Sequence, residues 1–128
     1  MEQWVPFGEG EYTVEEAFLA AQDNIGLYLE QGVIEVIQDA AGQRHLRGRA
    51  RVRPYYMVQL LEENDAVDLI LDLGGEFKYR LPQPLLRAGK VFSPDVKAVL
   101  QFSPTVPWEP LSEAAYGEMK RRLAFLSP

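Results

Sequence analysis

The sequence predicts an α+β domain: an antiparallel meander of about five strands packed against an N-terminal helix and a C-terminal helix. Three observations carry that reading. Apolar residues alternate along Tyr55 to Leu81, with turn-forming residues at two places. A second period-two stretch runs from Val33 to Arg53, with arginine at alternate positions of its second half. A capping box, Thr13-Val14-Glu15-Glu16, stands near the N-terminus, and an apolar stripe at helical spacing runs from about Leu111 to Leu126.

Residues 1–12 are rich in aromatics and glycine (Trp4, Phe7, Gly8, Gly10, Tyr12) and read as an edge strand or an ordered arm. Thr13 to Glu16 has the form of a capping box, in which the threonine hydroxyl accepts the Glu16 amide and the glutamate reaches back. A helix is expected from there, with Val14, Ala17, Phe18, Ala21 and Ile25 on one stripe and a stop at Gly26 or Gly32. Val33 to Asp39 reads as a strand, Ala40 to Gln43 as its turn and Arg44 to Arg53 as the return strand. The expected register opposes Ile34 to Ala50 and Glu35 to Arg49. Gly48 and Ala50 are small, so something bulky should lie over them, most simply the first helix.

Tyr55 to Leu81 is the expected centre of the fold. With Asn64-Asp65 as a two-residue turn, Leu60 opposes Leu69, Val58 opposes Leu71 and Tyr56 opposes Leu73. A loop over Gly74 to Glu76 then opposes Leu73 to Phe77, Leu71 to Tyr79 and Leu69 to Leu81, and sets Asp72 beside Lys78. Met57, Leu61 and Ile70 fall on the second face, where such a cluster resembles a dimer or partner contact unless another segment covers it. The competing reading opens a short helix at Pro54, since proline is welcome at a first helical position.

Pro82 and Pro84 end this region, and Pro84 to Gly89 reads as one helical turn. Ser93-Pro94-Asp95 is a second helix start, running to about Phe102; a strand over 96–102 competes with it. Three prolines around Trp108 make 103–110 a rigid loop. The last helix is expected from about Leu111 to Leu126, with Tyr116, Met119, Leu123 and Leu126 inward. Lys120, Arg121 and Arg122 complement its C-terminal dipole.

At 128 residues the chain is long enough for one domain, 1–128, with a single core. It has no run of eighteen apolar residues, and its first residues lack the basic and apolar regions of a secretory signal. Cysteine is absent, which removes disulfides, thiolate nucleophiles and cysteine-based zinc sites and fits a cytoplasmic protein. The formal net charge is −6, which opposes non-specific binding to nucleic acid or anionic lipid. That charge is segregated. Residues 1–43 carry nine acids and no lysine or arginine, whereas 44–53 carry five arginines and no acid. The plainest consequence is that the two blocks neutralise each other in the fold.

Arg47, Arg49, Arg51 and Arg53 would stand in a row on one strand face, spaced by about 6.6–6.8 Å. Tyr55 and Tyr56 adjoin the row and could stack on bases. His45 stands alone beside the hairpin turn, with no second histidine to make a metal pair. Asp68 and Asp72 lie four residues apart on one strand, about 13 Å between α-carbons. That is too wide for one metal ion or for paired glycosidase carboxylates, which stand roughly 5–9.5 Å apart. No recognisable catalytic motif is present.

These features predict a non-catalytic binding or adaptor protein that acts through protein–protein contacts, self-association included, with no cofactor and no membrane partner. The alternative is a nucleic-acid or nucleotide (anion) binder using Arg47, Arg49, Arg51, Arg53 and Tyr55, a reading the net charge disfavours. An enzyme ranks third.

Overall fold

The computed structural model describes residues 8–88 and 98–126. Ten strands and two helices occur among them: β1 (Gly10–Thr13), β2 (Glu16–Ala21), β3 (Ile25–Gln38), β4 (Arg44–Val52), α1 (Pro54–Glu63), β5 (Val67–Asp72), β6 (Lys78–Leu81), β7 (Leu85–Ala88), β8 (Ala98–Ser103), β9 (Glu109–Leu111), α2 (Glu113–Arg122) and β10 (Ala124–Phe125). The strands form one sheet in the order β7-β8-β4-β3-β2-β5-β6-β9, with β1 and β10 also paired to β3. The sheet curls into a half-barrel. The expected five-strand meander between two helices is therefore overturned: the molecule is mostly antiparallel sheet, and its helices are short.

β3 divides the sheet into two wings. Its C-terminal half pairs with β1 and β4, and β8 and β7 continue outward from β4. Its N-terminal half pairs with β2, and β5, β6 and β9 continue from there. At the junction Gln31 takes a left-handed φ of 53°. The β4 register slips there, with Glu30 opposite Arg51 but Val33 opposite Arg49. That is a β-bulge, an extra residue on β3 that bends the strand and adds twist. The inner faces of both wings enclose one apolar core. Leu46, Ala50, Leu100 and Phe102 come from the first wing, Leu69, Leu71, Leu81 and Trp108 from the second. Met57 and Leu60 on α1 complete it.

The predicted first helix does not form. Thr13 pairs with Val33 in β1, and Glu16 begins β2. β2 lies between β3 and β5 and is covered on both sides. Ala17, Leu19 and Ala21 face the main core, while Phe18 and Ala20 face a second cluster with Ile70, Tyr116 and Leu123. A strand buried on both faces reads as an unbroken apolar run, which period alone cannot tell from a buried helix.

Residues 55–64 are not a strand either. The structure has the helix that Pro54 permits, with Pro54 in the first turn. Asn64 makes no hairpin turn: its side chain donates to the Leu60 carbonyl at 3.0 Å and accepts from the Asp23 amide at 3.3 Å. The edge of β5 assigned to 55–60 is taken by β2, with Leu19 opposite Leu69 and Ala17 opposite Leu71. The second half of the expected meander is present in its expected register. Leu69 opposes Leu81, Leu71 opposes Tyr79 and Asp72 opposes Lys78. The Met57, Leu61 and Ile70 cluster does not exist: Met57 is buried in the main core, Ile70 lies fully buried with Phe18 and Tyr116, and Leu61 remains exposed on α1.

Pro84 to Gly89 holds a strand, β7, rather than a helical turn, and 98–103 follow the strand alternative; Ser93 to Asp95 and Gly89 lie outside the described residues. The proline-rich segment carries Trp108 onto Tyr79, stacked at 4.3 Å between ring centroids, and leads into β9. The last helix spans Glu113–Arg122, shorter than expected; Ser112 caps it, and 124–125 pair with β3 instead of extending it. Among the described residues no helix is long and apolar enough to cross a membrane.

The β3–β4 hairpin keeps the expected faces but slips by two residues. Ile34 opposes Gly48 and Glu35 opposes Arg47. The hairpin closes more tightly than expected: the Asp39 side chain accepts the amides of Ala41 and Gln43, and the Asp39 amide donates to the Gln43 carbonyl, so Asp39 stands opposite Gln43. What overlies Gly48 is the Phe102 ring, not a helix, and a Cβ at that position would overlap the ring. Gly48→Ala should accordingly cost about 1–3 kcal/mol by overpacking. The expected result is a lower urea midpoint with an unchanged slope, partly restored when Phe102→Leu is added.

Candidate functional site

β4 alternates strictly. Leu46, Gly48, Ala50 and Val52 are buried, and His45, Arg47, Arg49 and Arg51 are exposed on the outer side of the first wing. The sequence placed four arginines in this row; the strand supplies three. Arg53 stands beyond it as the residue preceding α1, half-buried, and its Nε meets no hydrogen-bond partner among the described residues. Tyr55 is 60% exposed on α1, its ring packed edge-on against Tyr56.

Neighbouring strands bring acids to part of the row. Arg47 Nε donates to Glu35 at 2.7 Å across the β3–β4 ladder. Arg49 reaches Glu11 of β1 at 3.4 Å. Both pairs are solvent-exposed, and such pairs contribute only about 0–1 kcal/mol, so a competing carboxylate can open them. His45 Nε2 lies 2.7 Å from Asp39, whose carboxyl is held below its ordinary value mainly by that contact and by the Gln43 amide. Arg51 makes no ion pair among the described residues.

The other side of the face comes from residues that sequence reasoning did not single out. In the ladder, Arg87 of β7 opposes Gln101 of β8, which opposes Arg49 of β4. Leu85 opposes Ser103 in the same way. A groove of about 570 Å³ runs here, lined by Arg47, Arg49, Arg87, Leu85, Gln101, Ser103 and Glu35, with Gly48 and Phe102 beneath. Arg53 and Tyr55 do not line it. Arg87, like Arg51, has no ion pair among the described residues. A signal for β8 was present in the sequence: Ala98, Leu100 and Phe102 are buried and alternate with Val99, Gln101 and Ser103.

A second polar cluster sits on the outer side of the second wing. Tyr116 of α2 donates its hydroxyl to Glu16, and Lys120 Nζ lies 2.7 Å from the same carboxylate. Lys78, well buried, reaches Asp72 at 3.6 Å and lies 5.4 Å from the centre of the Tyr116 ring. Burial, reinforced by the Glu16 charge, raises the Tyr116 hydroxyl far above its ordinary value, so it stays a donor. For Glu16, burial opposes ionisation but is outweighed by hydrogen bonds from Lys120 and Tyr116 and by the Lys120 charge; its carboxyl is held below the ordinary value. Lys120 is raised, chiefly by its hydrogen bond to Glu16. Glu16 with Tyr116 and Lys120, and Lys78 over the Tyr116 ring, cross the α2–sheet contact, so the cluster fastens the helix. Among the described residues no group of three or more His, Asp or Glu side chains is placed to hold a metal ion.

Comparison with protein-family models, with curated proteins and with solved structures finds no match to this chain.

The Glu16 contact makes stability depend on pH in a definite direction. A carboxyl lowered in the folded state stabilises fully above its unfolded value, and that stabilisation is lost as pH falls through the folded value. Lys120, being raised, contributes fully below its unfolded value and loses the contribution as pH rises through the folded one. Glu16→Gln should therefore unfold at lower urea than the parent at neutral pH, and the two midpoints should converge as the solution is acidified. Parallel curves at all pH values would show that Glu16 does not fasten α2 electrostatically.

Proposed function

We propose that this chain is a non-catalytic binding protein that docks an acidic surface of a partner protein through the outer face of its first wing. One observation supports the reading above others. Four guanidinium groups, those of Arg47, Arg49, Arg51 and Arg87, stand there against three carboxylates of the neighbouring strands among the described residues, Glu11 and Glu35 in ion pairs and Glu30 opposite Arg51 in the ladder, in a chain whose formal charge is −6. A net cationic face on an acidic molecule selects acidic contacts by charge complementarity and disfavours others. Exposed Leu85 and Val99 add apolar surface, and arginine beside apolar residues is a composition enriched in protein interfaces.

Nucleic acid remains the competing partner, supported by the arginine spacing along β4 and weakened by Glu35 within the groove. The test compares immobilised parent protein with the Arg51→Glu, Arg87→Glu double variant. The parent should retain a specific protein near physiological salt, and the variant should lose it by about tenfold or more. Retention should also fall in about 0.5 M salt, where the screening length is only a few ångströms. Identical retention by parent and variant removes this face from the function. Capture of a single-stranded oligonucleotide in place of protein assigns the face to the competing reading.

A further inference from the structure

We infer that the partner's contact segment is an extended acidic peptide lying in the trough above β8, between the arginines of β4 and Arg87 of β7. The inference rests on the docking reading above and adds the form and chemistry of what is held.

The trough follows from side-chain length on a pleated surface. Arg49, Gln101 and Arg87 are consecutive partners across β4, β8 and β7. Adjacent strands lie about 4.7–4.9 Å apart, so the two arginine α-carbons stand roughly 9–10 Å from each other with a shorter polar residue between. Ser103, opposite Leu85, continues the low floor along β8. A chain in extended conformation fits such a channel along the strand direction. Its carboxylates would reach guanidinium groups on both sides, where bidentate charge-assisted hydrogen bonds are the strongest available. Arg87 makes no ion pair among the described residues, and Arg49 holds Glu11 only at 3.4 Å with both groups half-exposed. Exposed Leu85, 58% accessible, offers a contact for an apolar side chain on the same segment.

The same features disfavour a nucleic-acid strand. Binding of unpaired bases relies on aromatic platforms. Tyr55 does not line the trough, and Phe102, which does, is only 2% exposed because its ring lies inward over Gly48. Glu35 would face a phosphate backbone with like charge, whereas a peptide can place its carboxylates away from it.

The experiment titrates ¹⁵N-labelled protein with an eight-residue Asp-Leu repeat peptide, its Asn-Leu counterpart and octathymidylate. The acidic peptide should shift amides of β7, β8 and β4 in a saturable way, and the Asn-Leu peptide should bind about tenfold more weakly or not at all. Arg49→Glu with Arg87→Glu should weaken the acidic peptide by at least about tenfold, with an unchanged circular dichroism spectrum. Glu35→Gln, which removes a competing carboxylate without touching the cations, should strengthen it severalfold. Octathymidylate binding more tightly than the peptide at these amides would overturn the inference in favour of nucleic acid. Shifts confined to other elements, or no saturable peptide binding while partner capture by the parent protein persists, would overturn the extended-segment form and leave the docking reading standing. Loss of both peptide binding and charge-dependent capture would end both.

Discussion

Along both edges of β3 the backbone N–H and C=O groups need partners, because a strand in the middle of a sheet has no water to fall back on. At fourteen residues it is too long for any one neighbour. β1 and β2 share one edge in a single register, Thr13 opposite Val33 and Ala17 opposite Leu29. β4 and the short β10 share the other. A flat strand of that length would splay the wings apart. The bulge at Gln31 bends it, and the bend turns the two apolar faces toward each other. One core then buries residues from both wings, and α1 needs to supply only Met57 and Leu60 to close it.

That single bend also decides which side of each wing meets solvent. With Gly48, Ala50 and Val52 turned inward under Phe102 and its neighbours, the arginines between them have nowhere to go but outward. Slipping the register by an even number of residues leaves this unchanged, since side chains alternate with period two. The face of the arginine row was therefore legible from the sequence, and so was its pairing with acids of residues 1–43, although not which acid meets which arginine. The tight turn between Asp39 and Gln43 sets Glu35 opposite Arg47 rather than Arg49 without turning a single guanidinium group over.

The errors in reading the sequence share one physical cause. Glu16 to Ala21 looks helical because strands covered on both faces lose the alternation that marks a strand, and its capping-box residues were equally able to serve a ladder and an ion pair. Residues 55–64 look like a strand because Tyr56, Val58 and Leu60 alternate, yet Met57 and Leu60 are the pair that reaches the core, at a helical spacing of three. Local signals held where a turn fixed geometry outright. The Gly74–Gly75 loop has both glycines at positive φ, and its register was right to the residue. They failed where the choice between neighbours was non-local, as when β2 rather than 55–60 claimed the edge of β5. Arg87 and Gln101 join Arg49 only through that kind of long-range pairing, so half of the groove could not be found by scanning the chain.

The acidic N-terminal block and the arginine strand separate the charge of the chain as a whole from the charge of one face. At physiological ionic strength the screening length is about 8 Å. The formal −6 therefore acts on the approach of other molecules, and contact is governed by the groups within the groove. Glu11 and Glu35 satisfy Arg49 and Arg47 while the face is empty, through exposed pairs of small net value. In the proposed docking, a partner carboxylate would replace a weak internal contact with a similar one and add Arg51 or Arg87, which have no ion pair among the described residues. Affinity would then come from the cations left over, and discrimination from the carboxylates beside them, which repel any ligand whose negative charge cannot be positioned around them.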